Sequence, residues 1–239
     1  MGQAYFVWKG EDCRGRGILL SAPVPIVKPE ERVQHVTIPG RPGELTLTEG
    51  DGIYQSYIQT VSIVMEGAFR INEIQNWLKG SGYVTFHGEP QRKQQARVIG
   101  AVTLTKHSRR SDWWEGEAQF YCEPLKDNLT EATETITSSG STVMNLGDVP
   151  ARPLLQVTAS GTTVVVAAGG NELTITGATS SRVYYIDCDA QIIWHIESNE
   201  IVVDTQLSSG NFPVLQKGSN SVTGSGWSSI MVTKRERFL

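Results

Sequence analysis

A chain of 239 residues with 39% hydrophobic and 19% charged side chains can bury real cores, as one large β domain or two smaller ones. Its net charge of −4 argues against a general nucleic-acid binder, which carries a basic stripe, and no apolar run approaches the roughly 18–20 residues that span a bilayer. The charge is uneven: residues 1–125 hold 14 basic and 14 acidic side chains, residues 126–239 hold 7 and 11, and the shift marks a boundary near the middle.

Along the chain, Tyr5 to Lys9 is an apolar strand broken by Gly10. The N-terminus, Met1 to Phe6, has neither a basic region nor a signal-peptide core, so synthesis in a cytoplasm is expected. Val36-Thr37-Ile38 runs into Pro39-Gly40-Arg41-Pro42-Gly43, where two Pro/Gly pairs force successive turns. Leu45 and Leu47 then alternate with polar neighbours, and Tyr57 to Met65 continues as a long strand.

Ile71 to Gly80 carries the one convincing helix signal. Ile71, Ile74, Trp77 and Leu78 share a face at i, i+3 and i+4 spacing. Asn72 with Gln75 forms a capping box, and Gly80 supplies the left-handed stop. Trp77 is expected to anchor the helix in its core. Tyr83 to Phe86 follows as a strand, and Val98, Gly100, Val102 and Leu104 repeat every second residue. The clearest alternation sets Trp114, Gly116, Ala118, Phe120 and Cys122 on one face against Glu115, Glu117 and Gln119 on the other, a half-buried antiparallel strand. Pro124 is expected to end it.

Residues 126–150, rich in Thr, Ser, Glu and Asn, read as a connector with an edge strand around Thr133 to Thr137. From Pro153 short strands return at regular spacing: Leu154 to Val157, Thr162 to Val166, Leu173 to Thr176, Val183 to Ile186, Ile192 to His195, Ile201 to Val203 and Ile230 to Thr233. Gly169-Gly170-Asn171 is a tight turn between two of them. Short strands without a helix indicate a β-sandwich over 151–239.

Chemistry is sparse. None of His35, His87, His107 and His195 has a partner at metal-ligand spacing, and no nucleophile elbow or phosphate loop occurs. His35, in a strand, reads as a hydrogen-bonded structural residue. Glu115 and Glu117 share a strand face at roughly 7 Å, a separation a glycosidase could use, but both come from one element and read as a solvated face. Asp187 and Asp189 could contribute to a calcium site, yet turn capping accounts for them. Cys13, Cys122 and Cys188 are too few and scattered for a disulfide framework, and Cys122 reads as core. Trp194 follows two isoleucines and reads as buried. Trp227, after Gly224-Ser225-Gly226, is the one candidate for stacking on a sugar ring. Trp113 and Trp114 are adjacent and face opposite sides, which points to a protein interface at Trp113.

In the first half, Gly17-Ile18, Ile38 to Gly43, Trp77-Leu78-Lys79-Gly80, Gly82 to Phe86 and Phe120-Tyr121-Cys122-Glu123-Pro124 form an ordered series. It continues with Asn145-Leu146-Gly147-Asp148, Arg152-Pro153, Tyr185-Ile186-Asp187 and Gly218-Ser219-Asn220-Ser221-Val222. In order and spacing the series resembles the distal tail proteins of long, non-contractile-tailed bacteriophages and their prophages. The resemblance implies a mainly β protein: a barrel-like N-terminal domain (1–125) with one short helix, then a galectin-like β-sandwich. It implies a homo-hexameric ring at the virion tail tip, assembled in the bacterial cytoplasm, that leaves a channel for DNA without reading it. Its partners would be the tail tube protein, a tip hub or fibre protein and a receptor-binding protein, with no cofactor, metal, catalysis or membrane insertion. Pro39, Gly40, Arg41, Gly43, Trp77 and Trp113 are the residues expected to shape the ring domain or its interfaces. Pro42 departs from the family pattern, where an acidic or small polar residue is expected. No extra domain interrupts the second half, the feature associated with sugar binding in enlarged members. The alternative is a lectin-like module that recognises cell-wall sugars through Trp227.

Overall fold

The computed structural model describes residues 3–48 and 53–239, which divide into two compact units, one ending at Leu129 and the other spanning Thr130–Phe238. The first unit holds β1 (Phe6–Trp8), β2 (Glu11–Asp12), β3 (Ile18–Leu20), β4 (Val33–Thr37), β5 (Glu44–Thr48) and β6 (Tyr57–Glu66). After these come α1 (Ile71–Trp77), β7 (Ser81–Phe86), β8 (Arg92–Lys106) and β9 (Trp113–Asn128). One antiparallel sheet, in the order β2-β1-β7-β8-β9-β6-β3, curls into a half-barrel. Its core is aromatic: Phe120 meets Phe6, Trp8 and Phe86 edge-on at 5.3–6.0 Å between ring centroids. Quadrupolar rings favour that geometry.

The helix buries Ile74 and Leu78 in this core, with Ile71 and Trp77 packed against it, as the spacing requires. Its ends differ from the expectation. A 3-10 turn, Ala68–Arg70, leads directly into α1, so Arg70 and not Asn72 is the N-cap, and no side chain caps it. The N–H groups of Arg70 and Ile71 already donate to Gly67 O and Ala68 O, which leaves a capping box little to do. The helix stops at Trp77, where Leu78 turns out with ψ 65°; Gly80, at φ 72°, serves the step into β7 instead.

Pro124 does not end β9, which runs four residues further. Between Gln94 and Ala96 the β8–β9 register shifts, so residues 123–125 pass through a bulge where proline's missing N–H costs nothing. The Gln94 amide reaches across it to Glu123 O.

The second unit holds β10 (Thr133–Ile136), β11 (Ser141–Asn145), β12 (Leu154–Ala159), β13 (Thr163–Ala168), β14 (Asn171–Thr176) and β15 (Val183–Asp187). It continues with β16 (Ile192–Glu197), β17 (Glu200–Val203), β18 (Ser208–Gly210), β19 (Gly218–Ser225) and β20 (Trp227–Thr233). Two antiparallel sheets, β10-β20-β12-β15-β16-β17 and β11-β19-β13-β14-β18, contribute alternate residues to one shared core, the signature of a sandwich. Gly169 and Gly170, at φ 60° and 83°, close the β13–β14 hairpin as its sequence demands. Residues 126–150 do more than connect: β10 is an edge strand of one sheet and β11 of the other.

Candidate functional site

The turn Ile38 to Gly43 caps a two-stranded hairpin, β4–β5, that forms a sheet of its own. Gly40 and Gly43 both take φ 83°, which a Cβ would strain, and Arg41 N–H donates to Ile38 O at 3.1 Å. Register pairs Val36 with Leu45 and Gln34 with Leu47, so Val36, Ile38, Leu45 and Leu47 share one face. Val36 and Ile38 are each 38% exposed and Leu47 46%. The hairpin is tied at its base by Arg32 N–H to Ile53 O (2.9 Å) and Gln55 N–H to Glu30 O (2.8 Å). His35 sits on the other, polar face, its Nδ1 3.3 Å from Thr46 Oγ1. A two-stranded hairpin is only marginally stable in water, and an aliphatic face open to solvent needs a cover.

Trp77 and Trp113 lie elsewhere in the same unit. Trp77 stacks on Phe6 at 5.7 Å between centroids, Arg16 lies 5.0 Å over its ring, and its carbonyl accepts from Trp8 Nε1 at 3.1 Å. Trp113, 38% exposed, opens β9 opposite Glu66, while Trp114 packs against the core. Trp113 rims an open groove with Leu19, Glu66, Arg70 and Asp112, and Arg70 also lines a second groove with Glu11, Asp12, Arg16 and Glu73. Arg16 there bonds Glu73 at 2.8 Å as well as Glu11, and the Arg14 guanidinium beside Asp12 holds that carboxyl below its usual range. The expected residues thus form no single pocket: an exposed tip, a core anchor and a groove rim.

The remaining candidates are engaged within the fold or open to solvent. Glu115 and Glu117 stand on the solvent face of β9, and Glu115 meets His107 Nδ1 at 3.3 Å. Asp187 accepts from Asp189 N–H and Ala190 N–H at 3.0 Å each and from both Arg235 NH groups, at 2.7 and 3.0 Å. The Arg235 contact holds its carboxyl low, and these bonds describe a capped turn. Among the described residues no His, Cys, Asp and Glu group is arranged to hold a metal. Trp227 is partly buried against the sandwich core and donates Nε1 to Val165 O at 3.1 Å. Trp194, read as buried, instead stands half-buried on the outer sheet face, because His195 takes the inward position and is 3% exposed.

Neither a protein-family model nor a curated protein matches the chain. Its fold nonetheless resembles those of solved phage adsorption-apparatus and baseplate proteins. The solved structures it resembles include the SPP1 Dit (gp 19.1) protein, described as a paradigm of the hub adsorption apparatus in phages that infect Gram-positive bacteria. That likeness has a TM-score of 0.80 at 19% identity over 100% of both chains. A chain of the phage P2 baseplate, in its activated conformation with Ca and again with Sr, matches at 0.51 and 9% identity over 99% of both chains.

Proposed function

We propose that the chain is a structural hub of a bacteriophage tail tip. In this reading its first unit assembles a homo-hexameric ring that joins the tail tube to the host-recognition proteins and leaves a channel for DNA. The observation that carries it is a likeness to the SPP1 hub protein that runs through both units without a gap at either end. The uncovered aliphatic face of β4–β5 adds a physical reason for assembly, since a neighbouring copy would supply the missing cover. The role is geometric and assigns no cofactor and no catalytic residue. Its partners are the tube protein, a tip hub or fibre protein and a receptor-binding protein, in a virion assembled in the host cytoplasm. Nothing in the geometry favours the sugar-binding reading, because Trp227 already packs and hydrogen-bonds within the sandwich.

Light scattering over a range of concentrations tests the ring. The expected mass is that of six 26.2 kDa chains, stable on dilution. Replacing residues 33–48 by a short Gly-Ser link should give a folded monomer. A wild-type monomer at every concentration, alone and mixed with the tube protein of the same phage, overturns the ring.

A further inference from the structure

A second surface, on the sandwich, is also built to be covered. β17 is the last strand of its sheet, joined to β16 by a two-residue turn in which Ser198 and Asn199 take φ of 53° and 66°. Asp204 N–H donates to Ile193 O at 2.8 Å. Orientation alternates along an antiparallel ladder, so Glu200 and Val202 turn their backbone groups toward β16, and Ile201 and Val203 turn theirs off the sheet. There the exposed Gln206 amide donates to Val203 O at 3.2 Å, and an incoming strand would displace it. The side chains of Ile201 and Val203 lie beside their ladder partners Ile196 and Trp194, and the Trp194 ring stacks on Tyr185 at 5.4 Å and 9°. Ile196, Ile201 and Val203 are 53%, 69% and 52% exposed. From the core side, a buried bond between His195 Nδ1 and Asp204 pins the end of the strand, and Ile193 N–H donates to Thr205 Oγ1 at 2.9 Å.

β17 is short and opens on a charged residue, Glu200, but Ile201-Val202-Val203 carries no lysine, proline or bulge to blunt it further. Outward main-chain groups beside an aliphatic face are what strand addition uses: the ladder supplies affinity and alternate side chains supply selectivity. Charge selects the occupant. Thr130–Phe238 holds 6 basic and 10 acidic side chains. Glu197 and Glu200 are direct cross-strand partners, a like-charge pair that Arg182 meets at Glu197, at 2.8 Å. A second copy of β17, docked antiparallel so that Ile201 meets Val203, would set Glu200 opposite Asp204. We propose that β17 receives an extended strand from a different tail-tip protein. Its alternate aliphatic side chains pack beside Ile201 and Val203, and on the other face a lysine or arginine relieves the Glu197–Glu200 pair. The proposal takes from the functional reading only that the chain works inside an assembled tail tip.

Hydrogen–deuterium exchange of the purified protein, compared with the same protein in tail tips isolated from phage-producing cells, tests this. Residues 199–204 are expected to exchange at least tenfold more slowly in the tips. Ile201→Lys and Glu200→Lys should each remove that protection while leaving the melting temperature unchanged. Equal exchange of 199–204 in the two states overturns the proposal. Cross-links from Val183→Lys that reach only other copies of this chain overturn the chosen occupant. An unprotected 33–48 hairpin in tips where 199–204 is protected removes the ring reading and leaves this one standing.

Discussion

Truncating Trp77 to alanine tests whether the helix is held by its last residue. A half-buried indole removes on the order of 150 Å² from water, worth about 4 kcal/mol at 25 cal/mol per Å². Its stack on Phe6, at 5.7 Å and 23°, adds about 1 kcal/mol, and the Arg16 guanidinium 5.0 Å over the ring adds somewhat less. Two effects act the other way. Alanine keeps the Cβ, and the indole Nε1 is buried with no hydrogen-bond partner, a penalty of about 1–2 kcal/mol that disappears with the ring. The net loss is about 3 kcal/mol, or roughly 12 °C in melting temperature for a unit of this size. The bond from Trp8 Nε1 goes to the Trp77 carbonyl and survives the change. Urea unfolding of the full chain measures the cost as a shift in the midpoint of the first unit's transition at unchanged slope. Trp77→Phe keeps a ring on Phe6 and deletes the orphan N–H, so it should stay within about 1 kcal/mol of wild type. A cost below about 1 kcal/mol for alanine, or equal costs for alanine and phenylalanine, would refute this account of the anchor.

Two further outcomes follow from local geometry. At Gly226 a Cβ would sit 1.8 Å from Thr163 O at φ 76°, whereas at Gly218, at φ 90°, it meets nothing within 4 Å. Gly226→Ala should therefore cost more than about 3 kcal/mol and Gly218→Ala about 1 kcal/mol, and similar melting temperatures for the two would contradict the clash. Burial pushes the Cys122 and Cys188 thiols up to about 12 from an unfolded value of 9.0. Both states keep the proton below pH 9, so these thiols leave stability flat there. Above pH 9 only the unfolded chain releases it, and stability falls toward pH 12 by about 1.4 kcal/mol per pH unit per thiol. Chemical unfolding of wild type against Cys188→Ala at pH 8, 10 and 11 checks the sign: the gap between the two should narrow as pH rises, and a constant gap refutes it.

The fold was legible where burial follows a simple period. Phe120 and Cys122 lie inward on β9, and Ile74 on α1 and Leu78 at its C-cap lie inward, because apolar residues recur there at spacings of two and of three to four. It was illegible where a polar side chain takes the inward position. β19 reads Gly-Ser-Asn-Ser-Val-Thr-Gly-Ser, with one aliphatic residue. Its Asn220 is 5% exposed and bonds Gln216 N–H, Gln216 O and Gly218 O in place of packing. β11 fell into the supposed connector for the same reason: Asn145 is 1% exposed, donates to Val149 O and Leu215 O, and accepts from Gly147 N–H. A buried amide with every bond made is as good a strand residue as valine, but hydropathy scores it as a turn. Pro124 misled in the converse way, since the breaker rule assumes a regular ladder and β9 passes it through a bulge.

The same reasoning separates the two kinds of surface. The tip of β4–β5 could be found from sequence because turn chemistry marks it: glycines at fixed φ need no tertiary partner to be recognised. The β17 edge could not. Ile201-Val202-Val203 looks like any buried strand, and Trp194 looked buried beside Ile192 and Ile193 until the register placed His195 inward and the indole out. Which side of an apolar strand meets solvent is decided by its place in the sheet, and one residue of register reverses it. An aliphatic run at a sheet edge is therefore the feature that hydropathy will most consistently assign to the core. In this chain it is also the feature on which the proposed strand addition rests.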